Sequence, residues 1–367
     1  MRLNRSYIEL SAIVIISIVG TYLFSYIAIV ILENKLPPSI LTLWDRWDTT
    51  PYLNIAKEWY TSSTEGEKHL SIVFFPLYPI LIKLFAVIFK NYMLSGLIVS
   101  NISYAIACFY LFNLMIIDYE RADAFRSVIY LSTFPTAYFL HATYTESLFL
   151  ALTISSFFYA RKERWFVSSI LCLLATATRI TGVLLIPALF IEYLYQKNFN
   201  VRNFRKEILW LTLTPLGFVA YLVINYFTFA DPIKFLQFQR EHWTETMTFP
   251  WKGFLGAWYS ILWHSPTDGL VLGVFQVIIS IIGFFICLYS LLRIRISYSI
   301  YMCMSWLTIV TASFWLSLPR FTLSIFPLFI SLSLIGKNQV INYLIIFFSL
   351  LLFSLLTTLF IQGRWAY

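Results

Sequence analysis

Charge is what this sequence has least of. Asp, Glu, Lys and Arg make up 12% of its 367 residues, and 59% are hydrophobic. Soluble domains carry about 25% charge. A chain this long with so few charges could not cover its surface as a water-soluble globule, which excludes an ordinary soluble enzyme and a disordered tail. Cysteine is scarce too. Cys108, Cys172, Cys287 and Cys303 lie far apart inside apolar runs, without CxxC spacing, and read as small packing residues. The four histidines show no HxH or HxxxH spacing, and there is no P-loop and no GxGxxG. No cofactor is therefore assigned and no metal ligands are, while a divalent metal stays open.

Long apolar runs are abundant. They fall near 8–32, 93–117, 127–141, 144–160, 165–178, 180–196, 208–229, 269–292, 297–316, 320–335 and 339–361. A bilayer crossing needs about 20 apolar residues. The expectation is one all-α polytopic membrane domain over 1–367 with about 11 transmembrane helices. The first run follows Arg2 and Arg5 and ends in LENKLPP without a small-residue cleavage site, so it is expected to stay as a span.

The net charge of +8 does not point to nucleic acid, because the basic residues sit in short clusters between apolar runs. Arg2/Arg5, Arg121/Arg126, Arg161/Lys162/Arg164, Lys197/Arg202/Arg205/Lys206 and Arg293/Arg295 are expected on the cytoplasmic side. All five groups share one side only if the run 71–90 does not cross. Pro76, Pro79 and Lys83 interrupt that run, which suits a re-entrant element. Residues 33–92 then form a first external segment and 230–268 a second. Asp45, Asp48, His69, His141, Glu146, Arg179, Gln239, His242, His264 and Arg320 gather on or near that face.

Within the first external segment, Trp44, Trp47, Tyr52, Ile55, Ala56, Trp59 and Tyr60 recur at helical spacing, as in an amphipathic interfacial helix. Thr50 and Pro51 read as its N-cap and first turn, with Asp48 just ahead. Asp48, with Asp45 second, is the candidate general base; capping alone is the plainer reading. Glu146, Arg179 and Arg320 are flanked by span-quality sequence, where a charge costs about 2.5–3.5 kcal/mol. They form either a structural ion pair or a site for a lipid-borne phosphate, which guanidinium forks suit. Two arginines against one glutamate leave a surplus positive charge, which favours the anionic ligand. Trp47, Trp59, Trp243 and Trp251 serve either as sugar-stacking surfaces or as interface anchors.

Five stretches carry a family resemblance: RWDTTPYLNIA, VFFPLYPILI, FPTAYFLHATYTESLFL, LATATRITGVLLIPAL and PRFTLSIFPLF, in this order. Together they resemble the PIG-V mannosyltransferases, whose eukaryotic member adds the second mannose of the GPI anchor. The resemblance implies a GT-C-type glycosyltransferase that uses polyprenyl (dolichyl) phosphate mannose as donor and a lipid-linked or glycan hydroxyl as acceptor. It matches the family's loop-one Asp to Asp48, its ES motif to Glu146 and Ser147, its R-x-x-G to Arg179 and Gly182, and its late Arg-aromatic pair to Arg320 and Phe321. FLQFQREHW, with Gln239 and Trp243, is similar to a later family loop. On this reading Asp48 and Asp45 are catalytic and Arg179 and Arg320 hold the donor phosphate. Glu146, Trp47, His69, His141, Gln239, His242 and Trp243 support the sugar or acceptor. The enzyme would work on the non-cytoplasmic face of the plasma membrane, or of the endoplasmic reticulum in a eukaryote. The competing class is a transporter or lipid flippase; against it, the halves show no repeat and the polar residues gather at one face rather than the midplane.

Overall fold

The computed structural model describes residues 2–243 and 246–367. Helices dominate, and among these residues the extended pairing is limited to an isolated antiparallel bridge between Met247 and Ala312. Arg5–Glu33, Tyr92–Asp118, Lys206–Phe229, Pro266–Arg293 and Gln339–Ile361 are each long and apolar enough to cross a bilayer. The chain is an integral multi-pass membrane protein.

Helix length alone accounts for part of the expected set of about 11 spans among the described residues. Five helices have the length, or six if the bent pair Glu65–Val73 and Leu77–Phe89 counts as one span. The remaining runs become shorter apolar helices such as Trp165–Thr176, Ile296–Val310 and Phe326–Ile335. Proline accounts for two of the breaks. The bent pair turns by 117° with Pro76 at the head of its second helix. The runs at 127–141 and 144–160 are parted by Pro135, and Phe134 before it takes an extended ψ of 145° that ends the helix Arg121–Thr133.

Irregular backbone at such depth survives only inside protein or along a cavity. Accordingly every residue from 134 to 157 is buried. This stretch leads into the helix Glu146–Arg161, which packs against Tyr92–Asp118 on one side and Trp165–Thr176 on the other. It is the axis of the bundle. Its first residue, Glu146, and its last, Arg161, each centre a cluster of ionised side chains. At 1.5 Å per residue the two clusters are roughly 22 Å apart.

The amphipathic helix of the first external segment is Thr49–Glu58, burying Tyr52, Leu53, Ile55 and Ala56. Its N-cap is Asp48, not Thr50, and the Asp48 side chain makes no capping bond. Trp47 and Trp59 flank the helix with positive φ values of 49° and 68° and are both partly exposed. They therefore leave the face that their spacing suggests.

Candidate active site

Four ionisable residues from four separate breaks in the helices meet at one place. Asp48 precedes the helix Thr49–Glu58, and Glu146 opens the helix Glu146–Arg161. Arg179 stands at the break after Trp165–Thr176, and Arg320 lies in the short helix Leu318–Leu323. Asp48, Glu146 and Arg179 stand at helix starts, where a side chain can aim past the helix end into a shared space.

The contacts are close. Arg320 donates from Nε to Glu146 Oε1 at 2.6 Å and from Nη1 to Asp48 Oδ2 at 2.7 Å. Arg179 donates from Nη2 to Glu146 Oε1 at 2.8 Å and from Nη1 to Ser324 Oγ at 2.7 Å. Glu146 is fully buried, and its Oε2 has no partner among the described residues. The first turn of a helix favours a carboxylate, which suits Glu146 to this position. Rings enclose the guanidiniums: Arg320 lies 4.5 Å from the Tyr144 centroid and 5.0 Å from Phe139, and Arg179 lies 5.6 Å from Phe321. Such stacking compensates a buried cation.

This geometry corrects the charge count made from sequence. Asp48 is the second carboxylate of the cluster, so two arginines face two acids and no positive charge is surplus. Anion binding here has to rest on hydrogen-bond capacity. Arg320 Nη2 and Arg179 Nε make no protein hydrogen bond among the described residues.

Asp48, Arg179 and Arg320 line a cavity of about 320 Å³. Tyr52, Thr178, Gln239, Trp243, Tyr301, Ser317, Ser324 and Trp365 contribute further polar atoms and rings to its wall. The Asp48 side chain is 31% exposed, against 8% for Arg320 and 0% for Glu146. Its carboxylate is thus the most accessible charge of the three. Burial and the neighbouring Asp48 carboxylate push the Tyr52 phenol above its ordinary value, so Tyr52 presents an intact hydroxyl. The turn that presents Asp48 is fixed by Tyr144, which donates to Arg46 O at 2.9 Å and accepts from Asp48 N at 3.3 Å.

Gln239 and Trp243 join the cavity, but other sequence candidates do not line it. Asp45 is exposed, accepts only a 3.3 Å bond from Thr50 Oγ1 and does not line the cavity. His141 is fully buried in the bundle, with Asn101 Oδ1 at 2.9 Å, Ser17 Oγ at 3.2 Å and the Tyr104 ring at 4.8 Å. It is a satisfied packing histidine. His69 and His242 face each other at 6.2 Å beside Phe238 and stay outside the wall. Trp47 reaches the wall indirectly, through Trp365. Among the described residues no three His, Cys, Asp or Glu side chains form a group able to hold a metal. Ser324 and Tyr301 escaped sequence reasoning because neutral residues inside apolar runs give no local signal, and Tyr52 and Trp365 were not read as site residues.

A family model described as dolichyl-phosphate-mannose-protein mannosyltransferase matches residues 75–227. That stretch contains Glu146 and Arg179 but neither Asp48 nor Arg320. Among curated proteins nothing matches the chain. Among solved structures, ArnT from Cupriavidus metallidurans bound to undecaprenyl phosphate is similar, with a TM-score of 0.56 and 11% identity. The match covers 89% of this chain and 60% of ArnT, so the chain corresponds to about three fifths of that protein's length. The fold is therefore of the GT-C glycosyltransferase type.

Proposed function

We propose that this chain is a membrane glycosyltransferase that moves a hexose from a polyprenyl-phosphate donor to a hydroxyl of a lipid-linked or glycan acceptor. The resemblance to the PIG-V mannosyltransferases favours mannose as the hexose, and the distribution of basic clusters favours the non-cytoplasmic face. One observation carries the reading: a carboxylate and two guanidiniums drawn from distant parts of the chain line a single cavity. The family match over residues 75–227 and the likeness to a fold solved with undecaprenyl phosphate support it.

The chemistry follows from the positions. Asp48 takes the proton of the acceptor hydroxyl as its oxygen attacks the anomeric carbon. The bond from that carbon to the phosphate oxygen breaks, and its electron pair leaves with the phosphate. Arg179 and Arg320 donate to the phosphate as its charge grows. A single displacement of this kind inverts the anomeric centre. Arg320 couples the two tasks, because Nη1 holds Asp48 while Nη2 remains available. Glu146 is a positioning residue, since it holds both arginines at one oxygen. The opposing end of the helix Glu146–Arg161 is closed by an ionic cluster in which both oxygens of buried Glu192 are used, which favours an enzyme over a two-sided transport path.

Asp48→Asn in purified protein is the test. The shape is nearly kept while the base is removed, so transfer from undecaprenyl phosphomannose falls about 10²–10⁴-fold. A folded variant that transfers at the wild-type rate eliminates the base assignment.

A further inference from the structure

The segment Gln362–Tyr367 carries an inference that concerns the same cavity and rests on the glycosyltransferase reading. We propose that Trp365 contacts the substrate, as the surface on which the transferred hexose stacks beside Asp48.

The backbone first explains how an indole comes to be there. The helix Gln339–Ile361 ends, and Gly363 takes φ 71°, a left-handed turn that sends the chain back into the bundle. Ala366 and Tyr367 are then fully buried. Tyr138 donates to Ala366 O, and Tyr367 donates to Val271 O at 2.7 Å. Trp365 is thus held between a turn and two anchors, and its ring lies in the wall that also contains Asp48.

The same segment braces the turn carrying Asp48. Arg46 donates from Nη2 to Ile361 O at 2.7 Å. Trp47 meets Trp365 edge to face, with centroids 5.0 Å apart and planes at 73°. Trp47 holds φ 49°, a strained value for a bulky residue, costing about 1–3 kcal/mol and kept only where neighbours over-determine it. Strain of this sort, next to a candidate base and a cavity, fits a built site better than chance packing.

The chemistry of the indole then selects the ligand. A neutral aromatic face offers little to a phosphate, which has the guanidiniums of Arg179 and Arg320 in the same cavity. It does match the C–H face of a pyranose ring, which is apolar while the ring's hydroxyls point outward. Trp251 and Trp263, at 57% and 80% exposure, have the outward placement of interface anchors; Trp365 does not.

The experiment compares two lipids on the full-length protein in detergent, undecaprenyl phosphate and undecaprenyl phosphomannose, with affinities read by native mass spectrometry. Trp365→Ala is expected to bind the bare phosphate as wild type does and the mannose-bearing lipid about tenfold more weakly. Trp365→Phe keeps an aromatic face and is expected to lose about threefold on the mannose-bearing lipid alone. Equal affinities for both lipids in the Ala and Phe variants and the wild type overturn the proposal. So does a loss in the variants that is the same for both lipids, which assigns Trp365 a structural role only. If the Ala variant does not fold, unchanged mannose-lipid binding in a folded Phe variant overturns it. Failure of the wild type to bind either lipid overturns the glycosyltransferase reading itself, and a variant-specific failure leaves that reading standing.

Discussion

The helix Glu146–Arg161 carries two ionic clusters of the same composition, one at each end, and they are finished differently. Each has two arginines and two carboxylates. At the far end, fully buried Glu192 accepts from Arg295 Nε at 2.7 Å, Arg295 Nη2 at 2.8 Å, Ser297 Oγ at 2.6 Å and Gln196 Nε2 at 2.6 Å. Arg161 adds a 3.7 Å approach and forms its own pair with Asp118, while Tyr298 accepts from it at 2.8 Å. Both oxygens of Glu192 are used. At the near end, Glu146 takes both arginines on one oxygen and leaves the other without a partner, and the second acid, Asp48, opens onto a cavity. Equal charge therefore does not mean equal purpose. A buried carboxylate filled on both oxygens fastens helices together, whereas a cluster whose second acid and arginines line a cavity has capacity left for a ligand.

Breaking each cluster at its central glutamate separates the two roles. Glu192→Gln leaves Arg295 without its carboxylate partner, so it costs about 3–5 kcal/mol, seen as a lowered melting temperature in detergent. Transfer activity per folded molecule stays unchanged. Glu146→Gln lowers donor affinity and turnover as well, because both arginines lose their shared anchor. If Glu192→Gln reduced activity per folded molecule as strongly as Glu146→Gln, the division of labour would be wrong.

A smaller effect comes from the packing beneath Arg179. A Cβ on Gly182 would stand 2.6 Å from Ala175 O, which is backbone and cannot rotate aside. Gly182→Ala is expected to cost about 1–3 kcal/mol through overpacking. It also displaces the turn Ile180–Leu184 behind Arg179, so weaker binding of undecaprenyl phosphate accompanies the lost stability. Retained phosphate affinity would show that the Arg179 turn is less constrained than the contact implies. Asp45→Asn is milder still: exposed and bonded only to Thr50, it changes turnover less than about twofold, in contrast with Asp48→Asn.

The smallest effect is expected at the surface pair Lys68–Glu58, 2.8 Å apart. The hydrogen bond from Lys68 holds the Glu58 carboxyl below its ordinary 4.5. Its contribution is full above that value and fades as pH falls through the lowered one. Lys68 is raised above 10.5 by Glu58, so its contribution is full below that value and is lost at higher pH. Glu58→Gln therefore leaves the pH dependence of melting unchanged between about pH 6 and 9, and any steep dependence there belongs to other groups.

Much of the site could be read from sequence because charge inside an apolar run is a loud signal. Glu146, Arg179 and Arg320 stand out for that reason, and they do meet. Asp48 stood out through its place ahead of an amphipathic helix, and it lies 2.7 Å from Arg320. What could not be read was pairing. Nothing local says that Asp48 completes the charge balance, or that His141 turns inward to Asn101 and Ser17. Helix length was equally hidden, since hydropathy does not separate one long helix from shorter ones broken at Pro135 and buried by their neighbours. Trp365 carried no signal because its position depends on a turn at Gly363 and on anchors far away in sequence.

The central claim is that the unused hydrogen-bond capacity of the Glu146 cluster binds the phosphate of a polyprenyl lipid. The direct measurement is affinity for undecaprenyl phosphate in Arg179→Gln, Arg320→Gln and, as the matched change in the Glu192 cluster, Arg295→Gln. The account predicts a loss of at least about tenfold in the first two and none in the folded Arg295→Gln protein. Equal affinity across all three and the wild type would contradict it.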